Sequence, residues 1–178
     1  PEAIDGYTIA RIVGIGTTAT VFEARRPDDS KPIALKLFHV DLSAASLERE
    51  VRAATLPRHA GLAPTMSVGI FDGPIGRRPY LTMPLITGAT LGRLAANMRP
   101  DVRRCLRLVS LVADALSAAH REGVVHGDIK PSNIIVDEGG MPVVVDFGVA
   151  RVATSEVVFD GGAHPGTIPY MSPRRLAR

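Results

Sequence analysis

The stretch from Val124 to Gly148 constrains this chain more than any other. Two short β-branched runs, Ile134-Ile135-Val136 and Val143-Val144-Val145, flank a turn-rich spacer that opens with Asp137-Glu138-Gly139-Gly140. Such runs across such a spacer read as a β-hairpin. Asp128 and Asn133 fall just before the first run and Asp146 just after the second, so antiparallel pairing gathers all three at one end. Two carboxylates and an amide oxygen suit a hard, oxygen-seeking ion such as Mg²⁺, which keeps few protein ligands and shares the rest with phosphate and water. Taken singly, Asp128 or Asp146 is more simply a turn residue capping a strand. The complete string is what argues for a site.

That string, His126-Gly127-Asp128-Ile129-Lys130-Pro131-Ser132-Asn133 followed by Asp146-Phe147-Gly148, resembles the catalytic and metal-binding loops of protein kinases, H-R-D-L-x-x-x-N and D-F-G. The resemblance implies Asp128 as catalytic base, Asn133 and Asp146 as magnesium ligands and Lys130 as a contact to the transferred phosphate. Gly127 stands where the family usually has Arg, a residue that pairs with a phosphate on the activation loop. With no cation at Gly127, Thr154, Ser155 and Thr167 are not expected to switch activity through that contact.

The N-terminal half carries matching signals. Tyr7 to Val13 reads as a strand running into Gly14-Ile15-Gly16-Thr17-Thr18-Ala19, and Thr20 to Arg25 reads as its return. This is similar to the kinase Gly-rich loop with Val21 at its final position. Gly14 and Gly16 let backbone amides approach phosphate with no Cβ between, although two glycines in a hairpin are by themselves an ordinary turn. Ala19 replaces the third Gly, so an ordinary backbone is expected there, since a left-handed one costs about 1–2 kcal/mol. No helix pattern opens after the loop, which argues against a Rossmann fingerprint.

Ile33-Ala34-Leu35-Lys36-Leu37-Phe38 resembles the V-A-I-K strand, and Ser43 to Leu56 reads as a helix with Leu47, Val51 and Ala54 on one stripe. A lysine in an apolar strand faces either solvent or a polar partner. The resemblance assigns Glu50 as that partner, with Glu48 the competitor, on its spacing before His59; pairing would hold Lys36 charged and aimed at the α- and β-phosphates. Two further strands are expected over Thr65 to Phe71 and Arg78 to Met83. Pro79 to Ile86 then resembles the strand and hinge that hold adenine, with Met83 as gatekeeper. Pro84 is admissible, because the family asks only for a carbonyl at that position and takes the N–H from Ile86; it also suits a plain strand end. The nucleotide contacts implied are Val13, Gly14, Ile15, Gly16, Thr17, Thr18, Ala19, Val21, Ala34, Lys36, Met83, Pro84 and Ile86, with Ile135 and Asp146 from the second half.

Gly88 to Leu94 opens a second lobe, and Asp101 to Glu122 reads as a long helix with an acidic start and a stop at Gly123. Its apolar positions, from Leu106 and Leu108 through Leu111, Val112, Ala115 and Leu116 to Ala119, spread round most of the circumference. That pattern predicts burial on several sides. Cys105 is most simply a packing residue there, and His120 a capping or core histidine. Gly166-Thr167-Ile168-Pro169-Tyr170-Met171-Ser172-Pro173-Arg174 resembles the end of an activation segment, with Arg174 in place of the usual anchoring Glu. Thr167 and Lys130 match the Ser/Thr rather than the Tyr arrangement.

The expectation is therefore an α+β, protein-kinase-like two-lobed fold. Residues 1–86 form a nucleotide-binding lobe of five antiparallel strands plus one helix, and 87–178 a partial, mainly helical catalytic lobe truncated after the activation segment. The style is that of eukaryotic-like bacterial serine/threonine kinases, with ATP and Mg²⁺ as cofactors and a Ser/Thr-bearing protein as substrate. A small-molecule phosphotransferase of the aminoglycoside or choline kinase type, whose loop often begins His-Gly-Asp, is the second reading, and an ATP-binding pseudokinase scaffold the third. With 46% hydrophobic and 22% charged residues the composition is that of a soluble globular domain. A net charge of +3 is too small to argue for nucleic acid. The 21 basic residues include only three lysines, Lys31, Lys36 and Lys130, two of them at kinase positions where a compact ammonium faces phosphate. The single cysteine implies no internal disulfide, and no membrane-spanning run is present. A cytoplasmic location follows as expectation. So does a longer parent chain, given the start at Pro1, and self-association through uncovered apolar surface.

Overall fold

The computed structural model describes residues 2–16, 19–39, 58–74, 76–97, 101–147, 151–152 and 170. The helix expected over 43–56, with Glu48 and Glu50, lies outside them, as do Thr17, Thr18, Gly148, Thr154, Ser155, Thr167 and Arg174. The chain divides into two compact units, residues 1–55 with 64–86 and residues 56–63 with 87–178.

The first unit is built on one antiparallel sheet. Its strands are β1 (Ala3–Ile4), β2 (Tyr7–Ile15), β3 (Ala19–Arg26), β4 (Asp29–Phe38), β5 (Ser67–Gly73) and β6 (Gly76–Pro84), in the order β1-β2-β3-β4-β6-β5. The sheet has six strands where the sequence suggests five. The extra strand is two residues long, too short for any alternation to show, and is announced only by the turn Asp5-Gly6, both at positive φ (47° and 82°) as a tight hairpin turn requires. The strand expected from Thr65 begins at Ser67.

Alternation along β4 sorts the unit into two faces. Ile33, Leu35 and Leu37 join Ile4, Tyr7, Phe22, Ala24 and Tyr80 in one core. Ala34, Lys36 and Phe38 point the other way, where Phe38 packs with Ala19 and Leu81 beside Val68 and Met83. Leu35 is fully buried, a contribution of roughly 1.5–3 kcal/mol for a side chain of its size.

In the second unit, β7 (Gly88–Thr90) leads into α1 (Leu91–Asn97), followed by α2 (Val102–Arg121) and β8 (Val124–Val125). The hairpin of β9 (Ile134–Asp137) and β10 (Pro142–Val144) pairs Ile134 with Val144, Ile135 with Val143 and Val136 with Pro142. β7 completes that sheet in the order β10-β9-β7, and β11 (Arg151–Val152) pairs with β8. Residues 58–63 dock on β10: Val144 N–H donates to Gly61 O (2.8 Å) and Ala63 N–H to Val144 O (3.1 Å). His59 fixes this segment, accepting Gly61 N–H at Nδ1 and meeting Asp114 of α2 through Nε2 at 3.2 Å.

Helix α2 starts and stops where its sequence says. Asp101 caps it by accepting from the amides of Arg103 and Arg104, and Gly123, at φ 74°, ends it with its N–H on His120 O. Its burial is narrower than its apolar pattern suggests. Leu108, Val112, Ala115 and Ala119 form one buried stripe against β8 and β10, while Val102, Leu106 and Val109 are each more than 60% exposed. Cys105 is exposed, not packed, and His120 is exposed in the last turn, which excludes the core reading. Periodicity marks which positions are apolar; it does not supply the neighbour that covers them.

The two stripes should separate in denaturation of this 178-residue chain. Leu108→Ala should cost about 2–5 kcal/mol as a large-to-small core change, while Leu106→Ala should stay within about 0.5 kcal/mol. Equal losses would show that both stripes are buried in solution.

Candidate active site

The polar cluster of the second unit grows out of the hairpin. Ile134 and Val144 sit opposite one another at its open end, so the residues leaving β10 run beside the turn that enters β9. One bond secures this: Val145 N–H donates to Asn133 O at 3.0 Å, placing Asp146 one residue from Asn133. Asn133 ends a single 3₁₀ turn, Pro131–Asn133, and is itself buried. Its Nδ2 donates to Asp128 O at 2.9 Å and, more weakly, to Asp128 Oδ2 at 3.4 Å. Lys130 Nζ lies 2.7 Å from Asp128 Oδ2, an ion pair shielded enough to matter, with side-chain exposures of 26% and 11%.

His126 completes the cluster, and nothing in the sequence reading gave it a role. It is 1% exposed. Asp128 N–H donates to Nδ1 at 3.2 Å, so Nδ1 is the acceptor and the ring proton sits on Nε2, which donates to Val145 O at 3.0 Å. The ring packs on Phe147 with centroids 4.5 Å apart. One imidazole thus ties the loop bearing Asp128 to the strand end bearing Asp146. A histidine between a β-branched run and the candidate base was the available signal, but only the register of β10 reveals what it reaches.

Asp146 has φ 65°, left-handed backbone that non-glycine residues rarely adopt and that carries strain of order 1–3 kcal/mol. Such strain persists where surrounding bonds over-determine it, and those on Val145 and His126 do so here. The donor set is suited to a hard cation. Asn133 spends its amide nitrogen on Asp128, so that Oδ1 is its remaining side-chain donor atom, and Asp146 contributes a carboxylate to the same hairpin end. Among the described residues no group of three or more His, Cys, Asp or Glu forms a metal cluster. A carboxylate and an amide oxygen are hard donors of the kind Mg²⁺ takes, not the soft or imidazole set of a transition-metal site.

The first unit holds the other candidates by itself. Cross-strand pairs put Val21 and Leu81 beside Lys36, and Met83 beside Ala34, on the face opposite the main core. Lys36 is 5% exposed, and its ammonium lies over the Phe38 ring at 4.8 Å from the centroid. Gly14 pairs with Val21, and Gly16 N–H donates to Ala19 O at 2.9 Å, closing the loop. A Cβ at Gly14 would meet nothing within 4 Å, so space in the fold does not demand glycine there. Ala19 is buried and absent from the positive-φ residues, as its side chain requires. Val13 and Ile15 are exposed, and Pro84 closes β6 opposite Ile33, with the half-buried Ile86 beyond. In the second unit, Ile135 lies mid-strand between Thr90 and Val143.

Gly127 has φ 81°, and there glycine is used for its freedom. Gly127→Ala should lower stability by about 1–2 kcal/mol through the left-handed backbone alone, with Gly127→Asn losing less. Thermal unfolding of the two variants checks this order, and equal stability of Ala and Gly would contradict it.

Comparison with known proteins bears on the arrangement as a whole. The protein kinase domain family matches residues 7–178. The chain is 33% identical over 177 residues to the serine/threonine-protein kinase PknE of Mycobacterium tuberculosis, covering 96% of this chain and 31% of that protein. It is 33% identical over 182 residues to the probable serine/threonine-protein kinase pknA2 of Bifidobacterium longum, covering 98% and 24%. Against the DNA damage-responsive serine/threonine-protein kinase RqkA of Deinococcus radiodurans it is 32% identical over 175 residues, covering 95% and 26%. It thus spans under a third of the length of each. With the family matched from Tyr7 to the last residue, on a chain whose hairpin gathers Asp128, Asn133 and Asp146, this protein belongs to the protein kinase domain family.

Proposed function

We propose that this chain is the ATP-handling part of a serine/threonine protein kinase, transferring the γ-phosphoryl of MgATP to a protein hydroxyl. The observation that carries the reading is the fixing of Asp128 from three directions: Lys130 on its carboxylate at 2.7 Å, Asn133 Nδ2 on its backbone carbonyl at 2.9 Å and more weakly on Oδ2 at 3.4 Å, and His126 on its amide at 3.2 Å. A carboxylate so held can orient a substrate hydroxyl in line with the γ-phosphorus and receive its proton. The hydroxyl oxygen forms the new bond to phosphorus as the bond from phosphorus to the β,γ-bridging oxygen breaks, with ADP leaving. Lys130, next to that carboxylate, faces the developing charge on the transferred group. Mg²⁺ on Asn133 Oδ1 and Asp146 would neutralise phosphate charge.

Residues 1–86 take the nucleotide in this reading and residues 87–178 the chemistry. Lys36 would position the α- and β-phosphates with Glu50 as its ion-pair partner. The Gly14-to-Ala19 loop would cover the phosphates, Met83, Pro84 and Ile86 would hold adenine, and Ile135 is assigned as a further nucleotide contact. Thr167 would shape the Ser/Thr substrate site. Relatives named as serine/threonine kinases support the protein hydroxyl over a small-molecule acceptor. No helix among the described residues is long and apolar enough to cross a membrane; placing this domain in the cytoplasm, where ATP is abundant, is part of the proposal.

The test is phosphate transfer by the intact protein to a generic basic protein and, in parallel, to aminoglycosides. Asp128→Asn should reduce turnover on the protein acceptor ~10²–10⁴-fold with nucleotide binding kept. Lys36→Met should abolish transfer with a smaller effect on ATP affinity, because that lysine positions phosphates while the hinge holds adenine. Full activity in Asp128→Asn, or transfer to aminoglycosides alone, would overturn the assignment.

A further inference from the structure

The kinase family match begins at Tyr7, yet the first unit does not. Ile4, three residues upstream, is fully buried in the main core. The Asp5-Gly6 turn then folds β1 onto β2, and the Asp5 carboxylate accepts a hydrogen bond from the Tyr80 hydroxyl, seventy-five residues on. Burial and that carboxylate push the Tyr80 phenol well above its ordinary pKa, so the hydroxyl stays a donor at any physiological pH. Gly69 makes the reach possible: it pairs with Tyr80, and a Cβ there would overlap the phenol.

Tyr7 adds a second line. Its ring meets Tyr80 edge-on, 5.9 Å between centroids at 71°, and the Arg26 guanidinium lies over it. Its hydroxyl bonds Ser67 Oγ at 3.1 Å, and Ser67 Oγ bonds Thr82 Oγ1 at 2.6 Å. Thr82 is fully buried. Residues 4–7 therefore grip β6 at Tyr80 and Thr82, the two positions whose side chains point away from Leu81 and Met83. A strand alternates, so what holds Tyr80 and Thr82 from behind sets the depth at which Leu81 and Met83 stand on the Lys36 face.

We propose that residues 4–7 form a strap that positions the hinge strand, with Asp5, Tyr7 and Tyr80 as positioning residues for the nucleotide. The strap rests on the nucleotide-binding reading above, and it makes the segment just upstream of the family match part of the binding apparatus. Anything that lifts Asp5 off Tyr80 would loosen nucleotide binding without touching the catalytic loop.

The experiment measures the Kd of a fluorescent ATP analogue with Mg²⁺, together with kcat and KM for ATP, in the intact protein and in Tyr80→Phe, Tyr7→Phe, Asp5→Ala and Asp5→Asn. The two Phe variants keep ring and packing and remove only the bonds. Kd and KM should rise roughly three- to tenfold in Tyr80→Phe, a part of what a buried bond to a charged acceptor is worth, and less in Tyr7→Phe, with kcat moving little. Asp5→Ala should resemble Tyr80→Phe. Asp5→Asn keeps an acceptor and tolerates positive φ, so it should stay within about twofold of the parent. Hydrogen exchange at the Leu81, Thr82 and Met83 amides, measured without nucleotide, should quicken in Tyr80→Phe. A parent protein that binds no analogue would sink the nucleotide reading and leave the strap to be decided by exchange. Unchanged exchange at those amides, or a Tyr80→Phe Kd equal to the parent's where the parent binds, would overturn the strap.

Discussion

Both hydrogen-bonding groups of Val145 are spent on the loop that precedes β9, its N–H on Asn133 O and its C=O on His126 Nε2. Much of the second unit follows from those two bonds. They make the residue before Asp146 a rung between two stretches of chain that no regular ladder joins, next to the left-handed backbone of Asp146. His126 then reaches Asp128 through the amide at Nδ1. Asp128, Asn133 and Asp146 are thereby gathered at one hairpin end by bonds to the main chain. A buried imidazole satisfied at both nitrogens carries no desolvation debt.

The first unit solves a different problem with the same means. A strand must present polar chemistry on one face while the other is buried, and β4 does so by strict alternation: Leu35 and Leu37 seal the main core while Lys36 stands between them on the opposite face. Burying a lysine this deeply costs free energy unless its charge is met. The Phe38 ring under its ammonium is one compensating contact. The main core and the Lys36 face are two sides of one sheet, so the packing of Ile4 and Tyr80 behind β6 bears on the geometry in front.

Several elements were legible because their cause is local. The Ile134 and Val143 runs declare a hairpin by composition and spacing, and pairing then follows with the side chains in register. Asp101 and Gly123 bracket α2 because capping needs only the neighbouring residues. Ala19 could be expected at ordinary φ since a Cβ forbids the alternative cheaply. The five longer strands of the first sheet were expected, Tyr7 to Val13 from its pattern and Ile33 to Phe38 from its likeness to the V-A-I-K strand; Ala3–Ile4, with two residues, carries no such signal. The packing expected of Cys105 fails because an apolar residue states only a preference for burial, and the exposed Leu106 and Val109 on the same helix belong to the uncovered apolar surface that its pattern implied.

The sequence by itself determined the kinase-like order of loops and strands, the identity of Asp128, Asn133, Asp146 and Lys36 as candidate groups, and the faces of β4, because spacing, period and chemical type are written residue by residue. Tertiary structure alone decided that His126 bridges Asp128 and Val145, that Asp5 reaches Tyr80 over a glycine, and which stripe of α2 is covered. Those contacts join residues 19 and 75 positions apart in the first two cases. No local preference encodes such a distance; it emerges only when strand register brings two remote backbones within reach of one side chain.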